Sequence, residues 1–169
     1  IDLVSISGNH MGDAGEEGLL ETIKILKKQA IESVGAGKNE QQAYACKIIH
    51  KKNTSFGFLG FNNVGGSIGK ATKDTPGIAW LDKDALRSVE TCKESVDALV
   101  VMVNWGIEYV HTPRQKEIDY AHLLVESGAD IILGDQAHWV QNHEVIHESH
   151  VSYGLGNYIF DQTWSENTQ

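Results

Sequence analysis

Arginine is nearly absent from this sequence: only Arg87 and Arg114 occur among 169 residues. A phosphate clamp made of several bidentate guanidinium groups is therefore excluded. Basic residues of both kinds number 14 against 23 acidic ones, for a net charge of −9. That balance argues against nucleic acid as a partner, because backbone phosphates call for clustered Lys and Arg. Long apolar runs are missing too. None approaches the ~20 residues that span a bilayer, so membrane attachment would need segments outside this chain. Proline occurs twice and glycine 17 times, which suggests tight turns and close backbone approaches rather than stiff linkers. Only two cysteines are present, Cys46 in a predicted strand and Cys92 in a predicted helix. Nothing in their spacing suggests a disulfide or a metal site, so the expectation is two buried free thiols.

What is present fits an ordinary globular domain, with 41% hydrophobic and 22% charged residues. The length corresponds to one domain over residues 1–169. The chain opens on Ile1-Asp2-Leu3-Val4-Ser5-Ile6-Ser7, which reads as a buried strand and not as a leader peptide. It closes on polar residues without a terminating element. The expectation is a fragment lacking sequence on both sides.

Strand-like and helix-like segments alternate. Residues 1–7 form an apolar run, followed by the turn-rich Gly8 to Asp13. Helical spacing of Leu19, Ile23, Leu26 and Ala30 predicts a helix over 16–30, with Glu16 and Glu17 in its first turn. A short helix is expected near 39–44, then strands 45–51 and 55–61 joined as a hairpin through Lys52-Asn53-Thr54. Residues 62–77 are Gly-rich and irregular, a length that is usually functional or mobile. Asp82 is placed to cap a helix over 83–95, and residues 97–103 form a wholly apolar strand. Thr112 as N-cap and Pro113 at the first helical position predict a helix ending at Ser127, stopped by Gly128. Residues 130–133 make a short buried strand, and 139–160 read as consecutive strands with a hairpin between Val145 and Val151. The pattern is α/β with a mixed sheet.

Three polar loops follow apolar strands: Gly8-Asn9-His10, Asn104-Trp105-Gly106-Ile107-Glu108, and Gly134-Asp135-Gln136-Ala137-His138. Sites gather at such strand ends in open α/β sheets, and these side chains can hold a metal or a metal with an acid–base His. Read alone, His10 is a loop histidine bonded to Asp13. Amides such as Asn104 and Gln136 cap loops as readily as they ligate. Glu108 can ligate, orient a neighbour or cap the following segment. Trp105 and Trp139 read as packing against the sheet. His143, His147 and His150, along the last hairpin, read as surface titratable groups.

Taken together, these stretches resemble the poly-γ-glutamate/capsule biosynthesis CapA family, whose fold is related to the calcineurin-like metallophosphatases. The resemblance rests on Asn9-His10-x-x-Asp13, Val34-Gly35-Ala36-Gly37, Phe58-Leu59-Gly60-Phe61, Trp105-Gly106-Ile107-Glu108-Tyr109, Gly128 through His138 with Gln141, and Tyr153 through Asp161. It implies an αββα metallophosphatase-like sandwich with mixed sheets, of which this chain is a fragment lacking the first metal motif and the closing strands. By the same resemblance Asn9, Asn104, Gln136 and His138 are metal ligands, and His10 with Asp13 is catalytic. Trp105, Glu108 and Asn157 then meet an anionic small-molecule or polymer substrate. The family usually carries His at the positions of Asn104 and Gln136. Exchanging imidazole for amide oxygen implies a hard divalent ion, Mg or Mn, as one ion, two, or none if the site is degenerate. The implied function is capsule or envelope-polymer synthesis with a hydrolase-type site, or alternatively a non-catalytic assembly or ligand-binding subunit. A cell-surface location and other capsule-synthesis subunits as partners follow from the resemblance as well.

Overall fold

The apolar strand over residues 97–103 becomes the centre of the molecule. In the computed structural model, which describes residues 1–159, it is one of six strands in a mixed sheet. Numbered along the chain, the first elements are β1 (Leu3–Ser5), α1 (Gly15–Lys28), β2 (Glu32–Val34), β3 (Ala36–Gly37) and α2 (Glu40–Ala43). Then come β4 (Lys47–Lys51), β5 (Thr54–Asn62), β6 (Gly77–Ile78), α3 (Lys83–Lys93) and β7 (Ala98–Asn104). The last are α4 (Gln115–Glu126), β8 (Ile131–Asp135), β9 (His143–Ile146) and β10 (Ser149–Ser152). The sheet order is β4-β5-β7-β8-β10-β9, with the four inner strands parallel and the two edges antiparallel. A parallel strand covered on both faces needs an apolar run without alternation, which is what Leu99 to Val103 provide.

Two glycines on β5 show how the layers stack. Successive strand residues face opposite ways, so Gly57 and Gly60 lie on opposite faces of the sheet. A Cβ on Gly57 would meet Cys92 Sγ at 2.7 Å, on the α3 side. A Cβ on Gly60 would meet Ser5 Oγ at 2.9 Å and Gly35 Cα at 3.2 Å, on the side of the parallel β1–β2 ribbon. The ribbon's outer side is packed by α1 through Leu19, with Ile23 and Leu26. The order is helix, ribbon, sheet, helices: the αββα layering implied by the resemblance.

The expected helices and most strands appear within a few residues of their predicted ends. Asp82 caps α3, its Oδ1 accepting from the Asp84 and Ala85 amides. Gly128, at φ 111°, stops α4. Three expectations need correction. The N-cap of α4 is Arg114, not Thr112, and Pro113 lies outside the helix. The nearly fully buried Glu117 carboxylate accepts the Arg114 amide at 2.9 Å and its guanidinium at 2.5 Å, and this pair sets where the helix begins. Cys46 and Cys92 are not free thiols but a disulfide, tying the residue before β4 to the last turn of α3. They lie 46 residues apart, and pairing at that range depends on how α3 packs on the sheet, which local spacing does not encode. Within 139–160 only β9 and β10 are strands among the described residues, and Phe160 onward lies outside them. Outside the main sheet, β2 of the ribbon and the antiparallel pair β3–β6 have strands only two or three residues long, too short for a periodic signal.

Candidate ligand cleft

Parallel pairing aligns the last residues of three neighbouring strands: Asn62 of β5 is in register with Asn104 of β7, and Asn104 with Asp135 of β8. Their side chains form a ladder across the sheet end. Asn62 Nδ2 donates to Asn104 Oδ1 at 3.1 Å, and Asn104 Nδ2 donates to Asp135 Oδ1 at 2.7 Å. Buried Asn62 is itself fixed, donating to the Ser7 carbonyl and accepting from the Val64 and Gly65 amides. The loop after β1 joins through the Asn9 amide, which donates to Asn104 Oδ1 at 3.2 Å. The loop after β8 joins through Gln136, whose Oε1 accepts from Asn104 Nδ2 and whose Nε2 donates to Glu108 Oε1. One side chain, Asn104, thus holds three strand-end loops together.

Around it lies an open cleft of ≈ 260 Å³, lined by Asn9, Asn104, Asp135, Gln136, His138, Gly156 and Asn157. A second hollow of ≈ 300 Å³ shares His138, Gly156 and Asn157 with it and adds His111, Trp139 and Val140. Larger hollows lie beside the disulfide and between α1 and β4, but they lack this convergence of amides, carboxylate and imidazole. His138 Nδ1 lies 2.9 Å from Asn157 Oδ1, and its ring stacks on Tyr109. Three non-glycine residues of this region, Tyr109, Gln136 and His138, hold φ of 60°, 85° and 59°. Strain of that kind collects at functional loops. Asp135 is open to solvent on one side, yet the atoms crowding the other raise its carboxyl above the ordinary value. The Asn104 hydrogen bond and His138 act in the opposite direction.

Of the nine expected site residues, Asn9, Asn104, Gln136, His138 and Asn157 line the cleft, and Glu108 touches it through Gln136. His10 and Asp13 do not line it. The His10 side chain is 77% exposed, with Nδ1 2.8 Å from Asp13 Oδ2. Ser67 donates to the other Asp13 oxygen, and this bond, followed by His10, holds the Asp13 carboxyl below its ordinary value. Successive turns at Met11, Asp13 and Gly15 curl the loop, so neighbouring Asn9 and His10 point to different sides. Trp105 is 1% exposed and leaves no surface for a substrate; its Nε1 donates to the Tyr153 carbonyl and its ring stacks on Tyr153. Sequence reasoning missed Asn62 and included Asp135 only as part of its loop, without a role. Both are the final residue of a parallel strand, and that position was the available signal.

The donors present test the divalent metal that the resemblance implies. Asn104 Oδ1 is used by the Asn9 amide, a donor whose identity is not in question, and its Nδ2 faces a carboxylate. The amide therefore turns N–H groups, not a lone pair, toward the place where a cation would neutralise Asp135. Among the described residues no three His, Cys, Asp or Glu are grouped to hold a metal ion. These residues do not fit a two-ion centre.

The fold has a counterpart among known proteins. A solved structure of Haemophilus influenzae NAD nucleotidase shares the fold, with a TM-score of 0.52 and 15% identity over 83% of this chain and 24% of that one. The architecture is thus metallophosphatase-like. The capsule biosynthesis protein CapA of Bacillus anthracis is 33% identical across 96% of this chain and 41% of its own length. The PGA biosynthesis protein CapA of Bacillus subtilis is 32% identical across 96% and 43%. A probable polyglutamine synthesis accessory protein of Mycobacterium tuberculosis is 25% identical across 93% and 44%. The chain spans about two fifths of the length of these relatives. The family model described as bacterial capsule synthesis protein PGA_cap matches residues 1–162, and the chain belongs to that family.

Proposed function

We propose that this chain serves capsule or poly-γ-glutamate synthesis as a ligand-binding domain, reading the amide groups of a glutamate-derived polymer in the Asn104 cleft. The observation that supports it is the orientation of Asn104, which fills with N–H groups the position a catalytic cation would take. Among the described residues no Lys or Arg lines the cleft, so polymer carboxylates find little to pair with there. Side-chain amides both donate and accept, and Asn9, Gln136 and Asn157 are therefore complementary to a polyamide backbone. The aromatic wall of Tyr109, His111 and Trp139 extends the surface along a chain-like ligand. A single hard ion, Mg or Mn, at Asp135 would require Asn104 to turn its amide oxygen toward that carboxylate in place of its N–H groups.

The relatives' capsule role fits the cell envelope, and a disulfide persists in oxidising compartments such as the cell surface. Among the described residues no helix is long and apolar enough to cross a membrane. The test is calorimetric titration with oligo-γ-glutamate at low and high salt, beside a phosphomonoester and phosphodiester assay with Mg or Mn. Binding that varies little with salt, lost in Gln136→Ala and Asn157→Ala, is expected, with no turnover. Metal-dependent hydrolysis abolished by Asp135→Asn would replace this reading with a catalytic one.

A further inference from the structure

The last hairpin carries a feature unconnected with the cleft. Alternation along β10 buries Val151 and turns His150 to the opposite face, while along β9 it buries Ile146 and turns His143 and Val145 to that same face. His150 is in register with Val145, and His143 with Ser152, so the two histidines are diagonal neighbours across the ladder. His150 Nδ1 lies 3.3 Å from His143 Nε2, with ring centroids 5.5 Å apart. This separation is long for a hydrogen bond between rings. It does match the edge of a coordination tetrahedron, since Zn–N bonds of ~2.0–2.1 Å place two ligand nitrogens about 3.3–3.4 Å apart.

We propose that His143 and His150 form a two-histidine site for a tetrahedral divalent ion, zinc, that clips edge strand β9 to β10. Both side chains are exposed, leaving the other two positions to solvent. The neighbouring carboxylate, Glu144, points to the other face and accepts from the Tyr153 hydroxyl at 2.7 Å. The protein ligands are therefore nitrogen only, a set that selects zinc, nickel or copper over magnesium and calcium. The strands' backbone pairing fixes the spacing in advance, so binding orders little beyond the two rings. An ion bound only by the folded chain, at free concentration L, stabilises it by RT ln(1 + L/Kd), so the melting temperature keeps rising with ion concentration above Kd.

The experiment is zinc titration of the purified chain by calorimetry, with thermal melting at each zinc concentration. One zinc per chain is expected, together with a zinc-dependent rise in melting temperature. His143→Ala and His150→Ala should each weaken binding at least tenfold and remove that rise. His147→Ala, in the turn between the strands, should keep both. Binding and thermal shift unchanged in His143→Ala and His150→Ala would overturn the proposal. So would their loss in His138→Ala instead, which would put the ion in the cleft. Both changes are on the exposed face of a hairpin, and their melting curves without zinc report whether the fold is intact.

Discussion

Asp135 sits at the end of β8, lines the cleft and has one carboxylate oxygen tied to Asn104. Crowding raises its carboxyl, so in the pH range just above the usual carboxylate value, about 3.9, the folded chain holds a proton that the unfolded chain has released. Stability from this group therefore rises as pH falls through its raised value, and at neutral pH the charge is a burden on the fold. Asp13, Asp84 and Asp97 are depressed, chiefly by bonds from Ser67, Lys70 and Ser55 respectively. Their contributions are full above the usual value and are lost as pH falls below it. The two effects occupy different windows, which makes Asp135 separable. Asp135→Asn should leave neutral-pH stability equal or higher and flatten the stability profile above the usual carboxylate range, as measured by urea melts across pH. The same change should weaken the ligand about tenfold, because a neutral acceptor gives up ~1–1.5 kcal/mol relative to a charged one. A stability loss with unchanged affinity would make Asp135 a structural residue.

The elements show which information was local. Asp82 ahead of α3 and Gly128 after α4 act through their own chain neighbours, so they were legible in the sequence. The start of α4 was not, because buried Glu117, three residues into the chain from Arg114, outcompetes the Thr112-Pro113 signal. His10 was misplaced for a related reason: a motif gives order along the chain, while successive turns decide which of two adjacent side chains enters the cleft. Asn104 and Gln136 were legible as candidates, but that Asn104 donates to Asp135 depends on strand register. The disulfide is the least local of these features. It joins the residue before β4, an edge strand, to α3, and closing a loop of 46 residues limits the unfolded chain. Cys46→Ala with Cys92→Ala should cost roughly 2–4 kcal/mol in urea unfolding, matched by reduction of the parent chain. Neither cysteine lines the cleft, and the disulfide packs over Gly57 in the middle of β5, so ligand affinity of the folded variant should be unchanged.

At the scale of the whole molecule, the cleft exists because the β1–β2 ribbon presses close enough on the sheet to bring Asn9 to Asn104. The closeness depends on Gly35 and Gly60, which meet without side chains between them. Gly60→Val would push branched methyls into Ser5 Oγ, Gly35 and Val34, lifting the ribbon and the Asn9 loop that follows it. Overpacking of this kind costs typically ~1–3 kcal/mol. Gly57→Val is the matched change on the other face: its methyls would meet Cys92, Leu99 and Val96, disturbing α3 but not the ribbon. Both variants should therefore melt early, while only Gly60→Val also loses ligand when both are assayed well below their melting temperatures. Exchange of the Asn9 amide hydrogen, which is bonded to Asn104, gives a second readout independent of any ligand. It should quicken in Gly60→Val and stay slow in Gly57→Val. Equal exchange in the two variants would mean that the loop is held by its own turns, and that the ribbon's approach to the sheet does not build the cleft.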